Sequence, residues 1–144
     1  MKLLLVLCFS MFATAAMACT DFTGTYLNGE GAKTQIQQSG CASVTFTDAN
    51  DSGTIITDGQ YRVTQDDAEV RVSTAASFVG VTLNFDGKLE YKQPMPPEVP
   101  TQSIPKRISV VYSKNASGNV VALMTAYNSQ NQVIYSITDS YTKI

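Results

Sequence analysis

Beyond its first eighteen residues the chain alternates apolar and polar positions with a period of two, and clusters of turn-forming residues interrupt the alternation at short intervals. A period of two marks strands that bury one face. The pattern predicts nine or ten short strands, with no stretch of helical periodicity over eleven or more residues. The faces are readable in several of them. Val79, Val81, Leu83 and Phe85 share one, Ile108, Val110 and Tyr112 another. Val120, Ala122, Met124 and Ala126 align in the same way, as do Val133, Tyr135 and Ile137. Asn28-Gly29-Glu30-Gly31, Ser39-Gly40, Asp66-Asp67, Asn115-Ala116-Ser117-Gly118 and Ser129-Gln130-Asn131 read as turns. Asp58-Gly59 and Asp86-Gly87 match the hairpin preference for residues that accept positive φ. The stretch Ala75-Ala76-Ser77 is ambiguous between strand and a turn of helix.

All five prolines fall between Pro94 and Pro105. Proline donates no ladder hydrogen bond, so this window predicts an extended connection and not an inner strand. A long connection in a small domain is often a lid or a binding loop. Met95, between two prolines, and Glu98 are its candidate contacts for a ligand or partner. The alternative is a connector strapped across one end of the fold.

The N-terminus carries a different signal. Lys2 is followed by an apolar run from Leu3 and then by Ala16-Met17-Ala18. Charge, apolar run and small-x-small is the order of a secretory signal, which predicts residues 1–18 as a signal peptide cut after Ala18. The mature domain is then 19–144, secreted or periplasmic. Cys8 would leave with the signal, so Cys19 and Cys41 remain as an even pair and predict a disulfide in an oxidising compartment. Lipidation of Cys19 is the alternative; Ala16 and Met17 fit that processing site poorly.

Short strands joined by tight turns predict an all-β antiparallel meander. The expected fold is an up-and-down β-barrel, because closure removes sheet edges, with a two-sheet β-sandwich as the alternative. Membrane insertion as a barrel is not expected, since few strands reach the ~9–11 residues needed and 33–38 has no apolar row. Phe22-Thr23-Gly24-Thr25-Tyr26 resembles the Gly-x-Trp opening of calycin barrels, the lipocalin and avidin-like proteins. The resemblance covers these five residues, with Tyr26 where that family has Trp. It implies a barrel in which Gly24 and Tyr26 are structural and one end stays open to a small apolar ligand.

Composition narrows the chemistry. The chain has no histidine, which removes the usual base of serine and cysteine hydrolases and the commonest zinc ligand. Bridged cysteines would supply no thiolate. Most acids sit in turns; Glu69 and Glu90, on strands, are the carboxylates most able to reach a lumen. Their expected state is an exposed, charge-paired face. Asp48, Asn50, Ser52 and Gly53 follow the start of a calcium loop, but Gly59 stands where the closing acid belongs, so a polar turn is expected. Asn50 and Asn115 open glycosylation sequons. Arg107 precedes an apolar strand and is a candidate for meeting an anionic ligand head inside a barrel. Residues 19–69 carry eight acids and two bases, residues 70–144 four acids and seven bases. A closed sheet would interleave the two halves. No basic cluster is interleaved with aromatics, so nucleic acid is not an expected partner. Together these readings predict an exported, non-enzymatic binding protein without a cofactor or metal. Its partner is either a small apolar ligand in a barrel lumen or a protein, as in an enzyme inhibitor.

Overall fold

The computed structural model describes residues 18–144. The predicted signal segment, except Ala18, lies outside the described residues. Ten strands follow: β1 (Gly24–Leu27), β2 (Lys33–Ser39), β3 (Ser43–Thr47), β4 (Ser52–Ile56), β5 (Arg62–Asp66), β6 (Val70–Val79), β7 (Thr82–Tyr91), β8 (Arg107–Lys114), β9 (Val120–Tyr127) and β10 (Val133–Lys143). The helical content of the described residues is one short 3-10 turn at Thr101–Ser103. The all-β expectation therefore holds.

The strands form one antiparallel sheet in the order β4-β3-β2-β1-β10-β9-β8-β7-β6-β5. Neighbours in sequence are neighbours in the sheet, except that β1 also pairs with β10, through Tyr26↔Lys143 and Leu27↔Thr142. The order is that of a circular meander opened at one place, between β4 and β5. The expected closed barrel is thus not what the ladder forms: β4 and β5 remain edges. In place of a β4–β5 ladder, the connection between them turns toward β6, with an isolated bridge Asp58↔Ser77 and a Gly59 N–H donated to Ala76 O at 2.8 Å. Asp58-Gly59 therefore serves this bridge and not the two-residue hairpin that the sequence predicts.

The second Asp-Gly pair is also displaced from its expected role. Asp86 and Gly87 lie inside β7, opposite Ala75 and Thr74 of β6. The turn falls instead at Gly80-Val81, and the ambiguous Ala75-Ala76-Ser77 stretch is plain strand. Tertiary partners explain the difference. Asp86 is held in the strand by Arg107.

Three hairpins share one turn design. Asn28, Asn115 and Asn128 each accept through Oδ1 from the backbone N–H groups two and four residues on. The fourth residue of each turn, Gly31, Gly118 or Asn131, has positive φ. Local side-chain capping of this kind satisfies turn backbone without help from the rest of the fold.

The sheet curls so that β1–β4 face β7–β9 across a core. Phe22, Tyr26, Ile36, Val44, Leu83 and Val120 form its buried cluster, with Phe46, Phe78, Phe85, Tyr112 and Tyr141 packed against it. Tyr26 is fully buried and donates from its hydroxyl to Phe22 O at 2.8 Å. The N-terminal segment is pinned from two sides. Gln38 accepts from Phe22 N–H and donates to Thr20 O, and Cys19 is bridged to Cys41 with Cα atoms 5.6 Å apart. The strand order also keeps β1–β4 together, so the acidic first half is not interleaved with the basic second half, contrary to expectation.

Candidate functional site

The concave face is set by register. Gly24, Tyr26, Thr34, Ile36, Val44, Phe46, Gly53 and Ile55 project from β1–β4 on one side of the sheet. Val72, Leu83, Phe85, Leu89, Ile108, Val110, Tyr112, Val120, Ala122 and Met124 continue the same side through β6–β9. Large side chains fill the end near the disulfide. A chain of adjoining hollows follows, two of them between the walls and a third along β5–β8.

The innermost is a cavity of about 180 Å³ walled by Tyr26, Ile36, Phe46, Tyr112, Val120 and Tyr141, with Thr34 at its side. Phe46 and Tyr112 are shared with a second hollow of about 370 Å³, completed by Gly53, Ile55, Phe85 and Val110. Phe85 and Val110 are shared in turn with a third, which runs along β5–β8 past Val72, Leu89 and Ile108. Together they make one apolar groove that runs across the strands toward the unpaired β4–β5 edges. The shared aromatics hold one another: Phe85 and Tyr112 meet edge to face at 5.5 Å, and Phe46 lies 5.9 Å from each. Rings in these geometries rigidify a wall as well as bury area.

At its inner end the groove meets a polar hollow bounded by Asn28, Gly29, Glu30, Asp139, Ser140 and Tyr141. Tyr141 belongs to both. Asp139 shares the concave face with Tyr141 and pairs across β9 with Ala122, which in turn pairs with Tyr112. Burial pushes the Tyr112 hydroxyl up to about 12, with the charges of Tyr141 and Asp139 adding to it. A tyrosine raised above its unfolded value of ~10 stabilises the fold fully below pH 10, and that contribution disappears as pH rises to about 12. Stability should therefore fall across this window, with the decline shallower in Tyr112→Phe. Denaturant unfolding alongside phenolate absorbance checks this; equal slopes in the two proteins would contradict it.

The residues singled out in the sequence lie elsewhere. Met95 is half-buried in a separate hollow with Glu69, Val70, Tyr91, Gln93 and Pro94, and Glu98 is exposed on the same connection. The proline-rich stretch is anchored at its end, where Ile104 is buried and Asn128 donates to Gln102 O. It therefore straps the β7–β8 end of the sheet and does not reach the aromatic cavity's walls. Arg107 does not point into the fold. It lies on the convex face, where Nε donates to Asp86 at 2.6 Å and the guanidinium sits 5.0 Å from the Tyr127 ring. Tyr61 joins that cluster, donating to Asp86 and lying under Lys88. Glu90 pairs with Arg71 on the convex side, while Glu69 borders the Met95 hollow, so the two carboxylates are not brought together. Asp48 Oδ1 accepts from the Asn50 and Asp51 N–H groups, which makes its loop a self-capped turn. Among the described residues no group of three or more histidine, cysteine or acidic side chains is placed to hold a metal, and no helix is long and apolar enough to cross a membrane.

Part of the groove was visible in sequence, in the apolar faces that hold Leu83 and Phe85, Ile108, Val110 and Tyr112, and Val120. What the sequence lacked was the pairing that brings Phe46 against Phe85 and Tyr112. Compared with known proteins, the chain matches no family model and no curated sequence.

Proposed function

We propose that the protein is an exported, non-enzymatic binder that holds a small apolar molecule in the groove between β1–β4 and β6–β9. The observation that carries this reading is the continuity of the groove: three hollows joined through Phe46, Tyr112, Phe85 and Val110, walled almost entirely by apolar and aromatic side chains. Ligand sites are typically concave, mostly apolar and equipped with a few polar groups. A dry cavity of ~150 Å³ already holds a benzene-sized guest, so the innermost hollow accepts one ring or branched head. The unpaired β4–β5 seam is the way in, and pairing of these edges to complete a barrel around a guest is the finer form of the same reading. The disulfide is compatible with an extracellular or periplasmic setting, and export through cleavage after Ala18 belongs to the proposal.

Gly53 supplies the test. It faces the groove from β4, and a Cβ added there would meet nothing within 4 Å. Gly53→Leu should fill the second hollow without disturbing packed neighbours. Titration of the neutral fluorophore N-phenyl-1-naphthylamine should show saturable binding to the native chain and at least a ~10-fold loss in Gly53→Leu, with thermal stability retained. Saturable binding that this variant leaves unchanged would place the ligand elsewhere. No saturable binding to the native chain would end the groove reading.

A further inference from the structure

The reading above leaves open what chemistry the groove prefers, and its inner end is informative. Three tyrosines and a phenylalanine (Tyr26, Tyr112, Tyr141 and Phe46) surround the 180 Å³ cavity. Where Tyr141 opens it to solvent, the adjoining surface presents two carboxylates, Asp139 and Glu30. Among the described residues neither carboxylate takes part in an ion pair. Neither the Tyr112 nor the Tyr141 hydroxyl makes a hydrogen bond among these residues, so both are available to a guest.

Four cations of the fold are engaged elsewhere. Lys114 donates from Nζ to Asp21 O at 2.7 Å, and both Lys114 and Lys143 act electrostatically on the Asp21 carboxylate, on the disulfide side of the core. Arg107 and Lys88 are engaged on the convex face. The cavity therefore combines aromatic walls with two carboxylates at its mouth that form no ion pair among the described residues. Ring faces attract ammonium and guanidinium groups, most strongly when the cation is desolvated, and a nearby carboxylate adds Coulombic attraction.

Resting on the groove reading, we propose that the natural ligand is a cationic amphiphile. An ammonium head sits in the aromatic cavity beside Asp139 and Glu30, and an apolar tail runs through the second and third hollows toward the β4–β5 seam. Direction follows from the lining. Polar atoms concentrate at the Asp139 end, whereas Phe85, Val110, Val72 and Leu89 line the other.

Three probes with one tail length separate the possibilities: dodecyltrimethylammonium, dodecanol and dodecyl sulfate, each titrated below micelle formation into the disulfide-bonded mature chain at physiological salt. The cation should bind about ten-fold more tightly than the alcohol, and the sulfate more weakly than either. In Asp139→Asn and in Glu30→Gln that preference should shrink several-fold while dodecanol binding stays unchanged. Because dodecanol is neutral, it reports on the groove alone. Equal binding of all three probes, or tighter sulfate binding, overturns the cationic inference and leaves the groove reading standing. A cation preference that survives in Asp139→Asn, Glu30→Gln and the double variant assigns it to net charge and also overturns the inference. Failure of all three to bind overturns both.

Discussion

Tyr26→Ala should lower the unfolding free energy by about 3–5 kcal/mol, the range for truncating a large buried aromatic. Several features place Tyr26 at the upper end of core contributions. Its side chain is fully buried, and it sits in the one cluster that draws residues from both walls of the curled sheet: Ile36 and Val44 from the first, Leu83 and Val120 from the second. Its hydroxyl also satisfies Phe22 O, a carbonyl belonging to another fully buried residue. Removing the ring leaves a void between the walls and a carbonyl without its partner. Total stability of a domain of this size is ~5–15 kcal/mol, so the variant should be marginally folded at best. Tyr26→Phe keeps the ring and loses the hydrogen bond alone, which should cost about 1–3 kcal/mol. Equilibrium denaturant unfolding of both variants measures the difference. A loss below about 1 kcal/mol in Tyr26→Ala would show that the cavity end of the core carries little of the fold.

The second large effect concerns the Cys19–Cys41 bridge. Its ends are 22 residues apart, and the chain-entropy estimate for such a loop is about 3 kcal/mol. The geometry suggests that the loss will not be purely that of the unfolded state. Cys19 begins the segment that delivers Phe22 to the core, and before β1 starts that segment is tied by Gln38, Lys114, the Tyr26 hydroxyl and the bridge itself. In Cys19→Ser/Cys41→Ser, unfolding should be easier by about 3 kcal/mol, and amides of residues 20–23 should exchange with solvent ahead of the β6–β9 ladder. Hydrogen exchange together with denaturant melts tests both parts. Uniform acceleration of exchange across the whole sheet would instead indicate a purely global effect.

The elements that were legible in the sequence are those whose cause is local. Period-two alternation located β8, β9 and β10 and assigned the buried face of β9, where Val120, Ala122 and Ala126 are buried, whereas the expected row of Val133, Tyr135 and Ile137 in β10 is exposed. The asparagine turns at Asn28, Asn115 and Asn128 were legible for the same reason: each side chain caps its own loop. Turn chemistry misled where a distant partner overruled it. Asp86-Gly87 has the composition of a hairpin turn, yet Arg107 and Tyr61 hold Asp86 within β7, from positions 21 and 25 residues away in sequence. The proline window was correctly read as an interruption between strands. The groove's walls are ordinary strand residues with no local mark of their own.

The sequence by itself determined the secondary-structure class, most turns, the pairing of Cys19 with Cys41 and the lack of histidine. Each of these follows from composition or from contacts between residues near in the chain. Only the tertiary structure decided that β1 joins β10 while β4 and β5 stay apart, that Arg107 faces outward, and that Phe46, Phe85, Tyr112 and Tyr141 meet around a cavity beside Asp139. Those outcomes depend on register between strands that lie tens of residues apart, and a shift of one residue would send every side chain to the other face. The same pattern of apolar alternation is compatible with a closed barrel or a flat sandwich. The curl that makes a groove is selected by how the large rings pack across the two walls.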